Sequence, residues 1–220
     1  MTFRASLLTA VLAVVPLALV MVSGATLEGQ EARGKAALLV NILELKEQAP
    51  ATFKADFDTS KGSFVVEVHR DWAPLGTDRF YTLVKRGYYD GNRFFRVTDL
   101  LVQWGINGDP DISKHWIGAK IADDPPRKQS NKKGTIAFLQ ANQRRTQVFV
   151  NLVDNPVLDS QICPFGQIVS GMNVLPRLYE VELAPTGKGP LFTPMFQQGD
   201  AYLAKEFPNL DYIKTATIMP

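Results

Sequence analysis

The sequence predicts a mainly β fold, a closed antiparallel barrel, on three observations. Short strand-like runs recur from residue 52 to residue 169, and the loops between them are rich in Gly, Pro, Asn and Asp. Helical spacing is confined to a few stretches, too few to supply the crossovers of a parallel sheet. The chain has 220 residues and a net charge of +2. It is long enough to bury one sizeable core and carries no charge excess that points to nucleic acid. A single cysteine, Cys163, excludes an intramolecular disulfide, and two scattered histidines, His69 and His115, cannot build a histidine metal centre. Neither metal nor cofactor is expected.

The elements follow in order. Ala5 to Leu27 is uncharged, Leu7 to Val22 is almost wholly apolar, Arg4 precedes it, and Ser23-Gly24-Ala25 offers small residues for cleavage. Residues 1–27 therefore read as an N-terminal hydrophobic helix, either a cleaved signal peptide or a membrane anchor; the length falls between the two. Both readings send the remainder to the secretory pathway or an extracytoplasmic space, secreted in one case and membrane-anchored in the other. Residues 28–50 read as an amphipathic helical linker, with a helix from Gly34 to Gln48 that turns Ala36, Leu39, Val40 and Leu43 to one face. Ala49-Pro50-Ala51 breaks it, and a domain begins at residue 51.

Thr52 to Asp58 and Ser63 to Val68 alternate around the turn Ser60-Lys61-Gly62, a hairpin by pattern. Pro74 starts a helix that runs through Phe80, Leu83 and Val84 to a stop near Gly87. Further strands are expected at Arg93–Val97, Leu100–Trp104, Gly134–Leu139, Gln147–Leu152 and Phe165–Val169. A second helix is expected from Gly171 to Tyr179. Gly105 to Pro110 reads as a turn, and Asp123-Asp124 as solvated carboxylates in a Pro-rich loop.

Two segments carry chemistry. In Arg93-Phe94-Phe95-Arg96-Val97 a guanidinium sits beside aromatics, with Gln103 a few residues on; Thr146-Gln147-Val148-Phe149-Val150-Asn151-Leu152 again sets an amide next to an aromatic. An apolar wall with one guanidinium and two amides suits a site that grips an apolar ring while acting on an adjoining amide.

From about Thr52 to Glu182 the chain resembles the cyclophilin-type peptidyl-prolyl cis–trans isomerases. The resemblance rests on the strand 63–68, the helix 74–87 and Gly87-Tyr88-Tyr89-Asp90-Gly91 leading into Phe94-Phe95-Arg96-Val97. It continues through Val102-Gln103, Gly134-Thr135-Ile136-Ala137-Phe138, residues 146–152, Leu158-Asp159 and residues 164–172. It implies a closed eight-stranded antiparallel barrel capped by two helices over residues 51–183, with residues 184–220 as a C-terminal extension packing on the domain. It implies Arg96 and Gln103 as catalytic residues, the glutamine orienting the arginine and the substrate carbonyl. Phe149, Gln147, Leu100, Leu101, Leu139, Gln140, Leu158 and Ile162 are implied at the substrate groove.

The chain departs from the family at several of these points. The Arg96–Gln103 connection is one residue short, its usual phenylalanine is absent, and either Leu100 or Leu101 takes that place. Val157 stands where many members carry tryptophan, and Ile162 where many carry histidine. Two functions remain open: a peptidyl-prolyl isomerase assisting protein folding in an extracytoplasmic or lumenal compartment, or a catalytically weakened module that binds proline-containing segments or a partner protein. The expected partners are proline-containing polypeptides, with no nucleic acid and with a membrane only through an uncleaved N-terminal segment. A monomer is expected.

Overall fold

The computed structural model describes residue 32 and residues 34–42, 45–124, 129–139 and 145–220. The hydrophobic stretch 1–27 and Gln140 lie outside the described residues. No helix among the described residues is long and apolar enough to cross a membrane.

The period-two runs form an antiparallel sheet. Strands β1 (Thr52–Thr59) and β2 (Gly62–His69) pair as the expected hairpin, followed by helix α1 (Pro74–Lys85), β3 (Arg96–Val97) and β4 (Leu101–Trp104). Helix α2 (Pro110–Trp116), β5 (Thr135–Phe138), β6 (Val148–Asn151) and β7 (Pro164–Ser170) come next, and α3 (Phe192–Gln198), α4 (Asp200–Glu206) and β8 (Ile213–Ile218) close the chain. The strand order is β3-β4-β6-β5-β7-β2-β1-β8, a half-barrel of eight antiparallel strands. Its ladder does not run on from β3 to β8. The two edges meet instead through the chain beside them: Gly91 N donates to Ile213 O (2.8 Å), Ile213 N to Asn92 O (2.9 Å) and Phe94 N to Asp211 O (2.9 Å). The expected ladder closure is thus reduced to backbone bonds between residues 91–94 and 211–213.

The concave face holds an aromatic core. Phe57 stacks on Phe64 at 5.0 Å between centroids and meets Trp104 edge-on at 5.7 Å, while Phe165 lies between Phe80 (4.8 Å) and Phe138 (5.3 Å). Rings in such offset and edge-on arrangements add stabilisation beyond their area.

Several local expectations differ from what forms. Gly171 to Tyr179 is not an α-helix; only the 3₁₀ turn Leu175–Arg177 is present. Pro176 has no N–H for the next α-helical bond and its ring collides with the preceding turn, and Leu178 is already extended at ψ 151°. Among the described residues the linker is α-helical at residue 32 and over residues 34–38. Its carbonyls are taken by the domain: Ala37 O accepts from Arg86 Nη1, Leu38 O from Trp116 Nε1 (2.9 Å), and Val40 O lies 2.7 Å from His115 Nε2. Leu38, not Leu39, is the buried residue. Finally, the turn at Gly105–Pro110 leads into α2, where Asp109 Oδ1 caps Asp111 N (2.8 Å) and Pro110 occupies the first turn.

Asp124, expected to be solvated, instead accepts from Leu75 N (2.6 Å) and Gly76 N (3.0 Å), the free donors at the start of α1. The buried Asp211 has a comparable joining role. It accepts from Ser60 Oγ and Tyr179 N, both at 2.7 Å, and so ties the β1–β2 turn and the chain after the 3₁₀ turn to the entry of β8. Replacing Asp211 by alanine leaves the part-buried Tyr179 amide and the Ser60 hydroxyl without their acceptor. The variant is expected to lose about 2 kcal/mol, read as a lower midpoint in chemical denaturation; an unchanged midpoint would refute the role.

Candidate active site

Alternation along β4, β5 and β6 separates two sets of side chains, because successive residues of a strand point to opposite faces. Val102, Trp104, Ile136, Phe138, Val148 and Val150 join the main core. Leu101, Ala137 and Phe149 form a separate buried cluster, with Leu139, Leu158 and Ile162 packed around it. The second cluster is an apolar patch on the convex face of the sheet.

Register places the polar residues beside this patch. Arg96 of β3 is opposite Gln103 of β4, Gln103 is opposite Phe149 of β6, and Phe149 is opposite Ala137 of β5. One transverse row therefore reads Arg96, Gln103, Phe149, Ala137. The sequence-expected residues Leu101, Leu139, Leu158 and Ile162 lie around Phe149, whereas Leu100 is 55% exposed at the tip of the β3–β4 turn. Of the two leucines left open by the short connection, Leu101 is the one in the cluster. Val157 is 76% exposed.

The hydrogen bonds differ from expectation at Gln103. Its Nε2 donates to Gln147 Oε1 at 3.0 Å, while its Oε1 is buried and accepts nothing among the described residues. The arginine is held from another direction. Arg96 Nη2 donates to Glu182 Oε2 at 3.0 Å, and Arg96 Nε lies 2.8 Å from Glu182 Oε1, off-line for a hydrogen bond. Glu182 was not singled out from the sequence. It lies 86 residues from Arg96, and no local pattern announces the pairing.

A polar network fixes the far end of the patch. Asn151 Nδ2 donates to Thr135 Oγ1 (3.1 Å) and Asn131 Oδ1 (3.3 Å), and Asn131 Nδ2 donates to Asp159 Oδ1 (2.8 Å) and Ile162 O (3.0 Å). Asn131 is fully buried. The network holds the 3₁₀ turn Pro156–Ser160, and with it Leu158, against β5 and β6. Below the site, burial pushes the Tyr88 hydroxyl up to about 12 and that of Tyr89 well above its usual value, so both stay neutral. Tyr89 donates to Thr146 O at 3.0 Å and anchors the chain just before Gln147.

An apolar cluster with a guanidinium and two amides beside it shows no paired nucleophile and base among the described residues. It suits chemistry in which no bond is made or broken. A family model described as cyclophilin type peptidyl-prolyl cis-trans isomerase matches residues 54–191. The chain belongs to the cyclophilin-type peptidyl-prolyl cis–trans isomerases. Among curated relatives, "Peptidyl-prolyl cis-trans isomerase-like 1" of Rhizopus delemar is 36% identical over 129 residues, covering 55% of this chain and 76% of the relative. A peptidyl-prolyl cis-trans isomerase of Acinetobacter baylyi is 24% identical over 161 residues, covering 70% and 86%. A crystal structure of a Cryptosporidium parvum cyclophilin-type isomerase, determined in the presence of the dipeptide Ala-Pro, superposes with a TM-score of 0.56 at 17% identity. It covers 76% of this chain and 99% of that one, a likeness of fold.

Proposed function

We propose that this cyclophilin binds the proline ring of a polypeptide on the Phe149 cluster and uses Arg96 to lower the barrier to rotation about the preceding bond. The observation that carries the reading is the row Arg96–Gln103–Phe149 on one face of β3, β4 and β6. Amide resonance sets a barrier of about 18–20 kcal/mol. As the bond twists, the prolyl nitrogen loses conjugation and becomes a hydrogen-bond acceptor, which it is not in the planar state. A donor aimed at that nitrogen therefore stabilises the twisted state selectively, the condition for raising kcat. The buried apolar wall of Leu101, Ala137 and Phe149 supplies ring binding equally to both isomers. Gln103 and Gln147, bonded to each other, present an amide edge between ring pocket and arginine.

The test is a protease-coupled assay with an Ala-Pro peptide and the full chain. The expected result is isomerisation faster than the uncatalysed rate, and a rate at background would sink the proposal. The Ala-Pro ligand accompanying the related structure supports this choice of peptide.

The proposed setting is the secretory or extracytoplasmic space, supported by the uncharged apolar stretch from Ala5 to Leu27 behind Arg4. There the enzyme would act on exported chains during folding. Amino-terminal sequencing of the mature protein together with fractionation is expected to find it outside the cytoplasm, either starting after residues 23–25 or membrane-bound with its leader intact. Recovery of the intact chain in the cytoplasmic fraction would overturn the assignment.

A further inference from the structure

We propose that Glu182 is a positioning residue that holds the Arg96 guanidinium ready for the substrate. The proposal rests on the reading of Arg96 as the catalytic group. Val97 and Val181 form an antiparallel bridge, Val97 N donating to Val181 O (2.8 Å) and Val181 N to Val97 O (2.9 Å). Arg96 and Glu182 are therefore neighbouring cross-strand positions, with side chains on the same face. Glu182 extends the transverse row by one member beyond β3.

The carboxylate meets the guanidinium at two points, Nη2 and Nε. Nη1 makes no hydrogen bond among the described residues and is left to meet a substrate. Gln103, which the family resemblance assigns to orienting the arginine, makes its hydrogen bond to Gln147. In this chain the holding contact comes from Glu182.

Glu182 is itself fixed. Its Oε1 accepts from Leu183 N at 2.8 Å, its carbonyl accepts from Gly189 N at 2.8 Å, and Gly187 N donates to Leu183 O at 2.7 Å. Only glycine fits where this loop wraps the glutamate: a Cβ at residue 187 would lie 2.6 Å from Glu182 Cβ, and one at residue 189 would lie 2.6 Å from Val181 Cγ2. The chain around the carboxylate is therefore tightly determined.

The side chains of Arg96 and Glu182 are 31% and 30% exposed. An ion pair this wet contributes little to stability. Its consequence lies in restricting a long, rotamer-rich side chain before substrate arrives, which is the work of groups that support a reacting one.

The experiment compares kcat and KM for an Ala-Pro peptide in the full chain and in four variants. Glu182→Gln keeps the size and an acceptor for Leu183 N but loses the charge, and it is expected to lower kcat about threefold. Glu182→Ala is expected to lower kcat about tenfold. KM should stay within about twofold in both, because the ring pocket is untouched. In an Arg96→Ala background, Glu182→Ala should have no further effect, a non-additivity that a purely structural role would not produce. Unchanged or raised kcat in both Glu182 variants, with Arg96→Ala still impaired, would overturn the positioning role alone. An unimpaired Arg96→Ala would overturn the catalytic reading beneath it.

Discussion

Replacing Arg96 by alanine is expected to lower kcat/KM for Ala-Pro isomerisation by about 100-fold or more, with most of the loss in kcat. A preorganised donor aimed at an atom that gains electron density only in the transition state is worth on the order of 100- to 1000-fold. On the proposed reading Arg96 is such a donor, held by the Glu182 carboxylate beside the Phe149 cluster. Arg96→Lys should recover little of the loss, because an ammonium cannot meet the Glu182 carboxylate along a planar edge and still offer a further, fixed donor. The fold is expected to survive both changes. Glu182 is partly open to water and can be solvated when its partner is gone, so the stability cost stays below about 1 kcal/mol. A variant that keeps its melting temperature and also keeps its rate would refute the assignment of Arg96.

A large loss of stability is expected from Gly105→Ala. Gly105 ends β4 with φ +112°, a backbone conformation that L side chains rarely adopt. A Cβ there would also lie 2.7 Å from Gln147 Cα and nearer still to Thr146 O. Neither neighbour is free to retreat: Thr146 Oγ1 donates to Gly105 O at 2.8 Å and Tyr89 Oη to Thr146 O at 3.0 Å. Backbone strain of this kind costs on the order of 1–3 kcal/mol before any steric term is added. A total of about 3 kcal/mol corresponds to a fall in Tm of roughly 6–12 °C for a chain of this size. Residual activity should also fall, since the displaced segment carries Gln147 and Phe149. A fall of less than about 2 °C in a thermal melt would show that the site accommodates the methyl group, contrary to the geometry.

Much of this arrangement is legible in the amino-acid order, and what is not has identifiable causes. The β1–β2 hairpin and α1 follow from period-two alternation and from a proline start with a glycine stop. Residues Arg96, Gln103 and Phe149 stand out through the family resemblance of the ordered blocks around them, not through spacing alone. Which of Leu100 and Leu101 lies in the cluster is not legible, because a connection one residue short can be aligned in two ways. β8 lacks plain alternation because its pairing with β1 shifts register at Asp58/Thr59, so that Ile213 and Ala216 are both buried although three apart. The start of α2 was written in Asp109-Pro110-Asp111, a capping aspartate, a proline and an acid in the first turn, and could have been read. Glu182 could not, since its partner is set by a bridge between distant segments. The apolar stretches of β4, β5 and β6 conceal a further division: both faces are covered, so hydrophobicity alone does not tell the core side from the site side.

The shortened β3–β4 connection shows where this scaffold can change its preferences cheaply. Thr98 closes the turn by itself, its N donating to Leu101 O at 3.0 Å and its Oγ1 accepting from Leu100 N at 3.2 Å. A residue gained or lost at Asp99-Leu100 is absorbed at the tip, while the same change inside β4 would send Leu101 and Gln103 to the opposite face. The tip can therefore be remodelled for different ligand shapes, residue by residue, while Arg96 and Gln103 keep their pairing across β3 and β4.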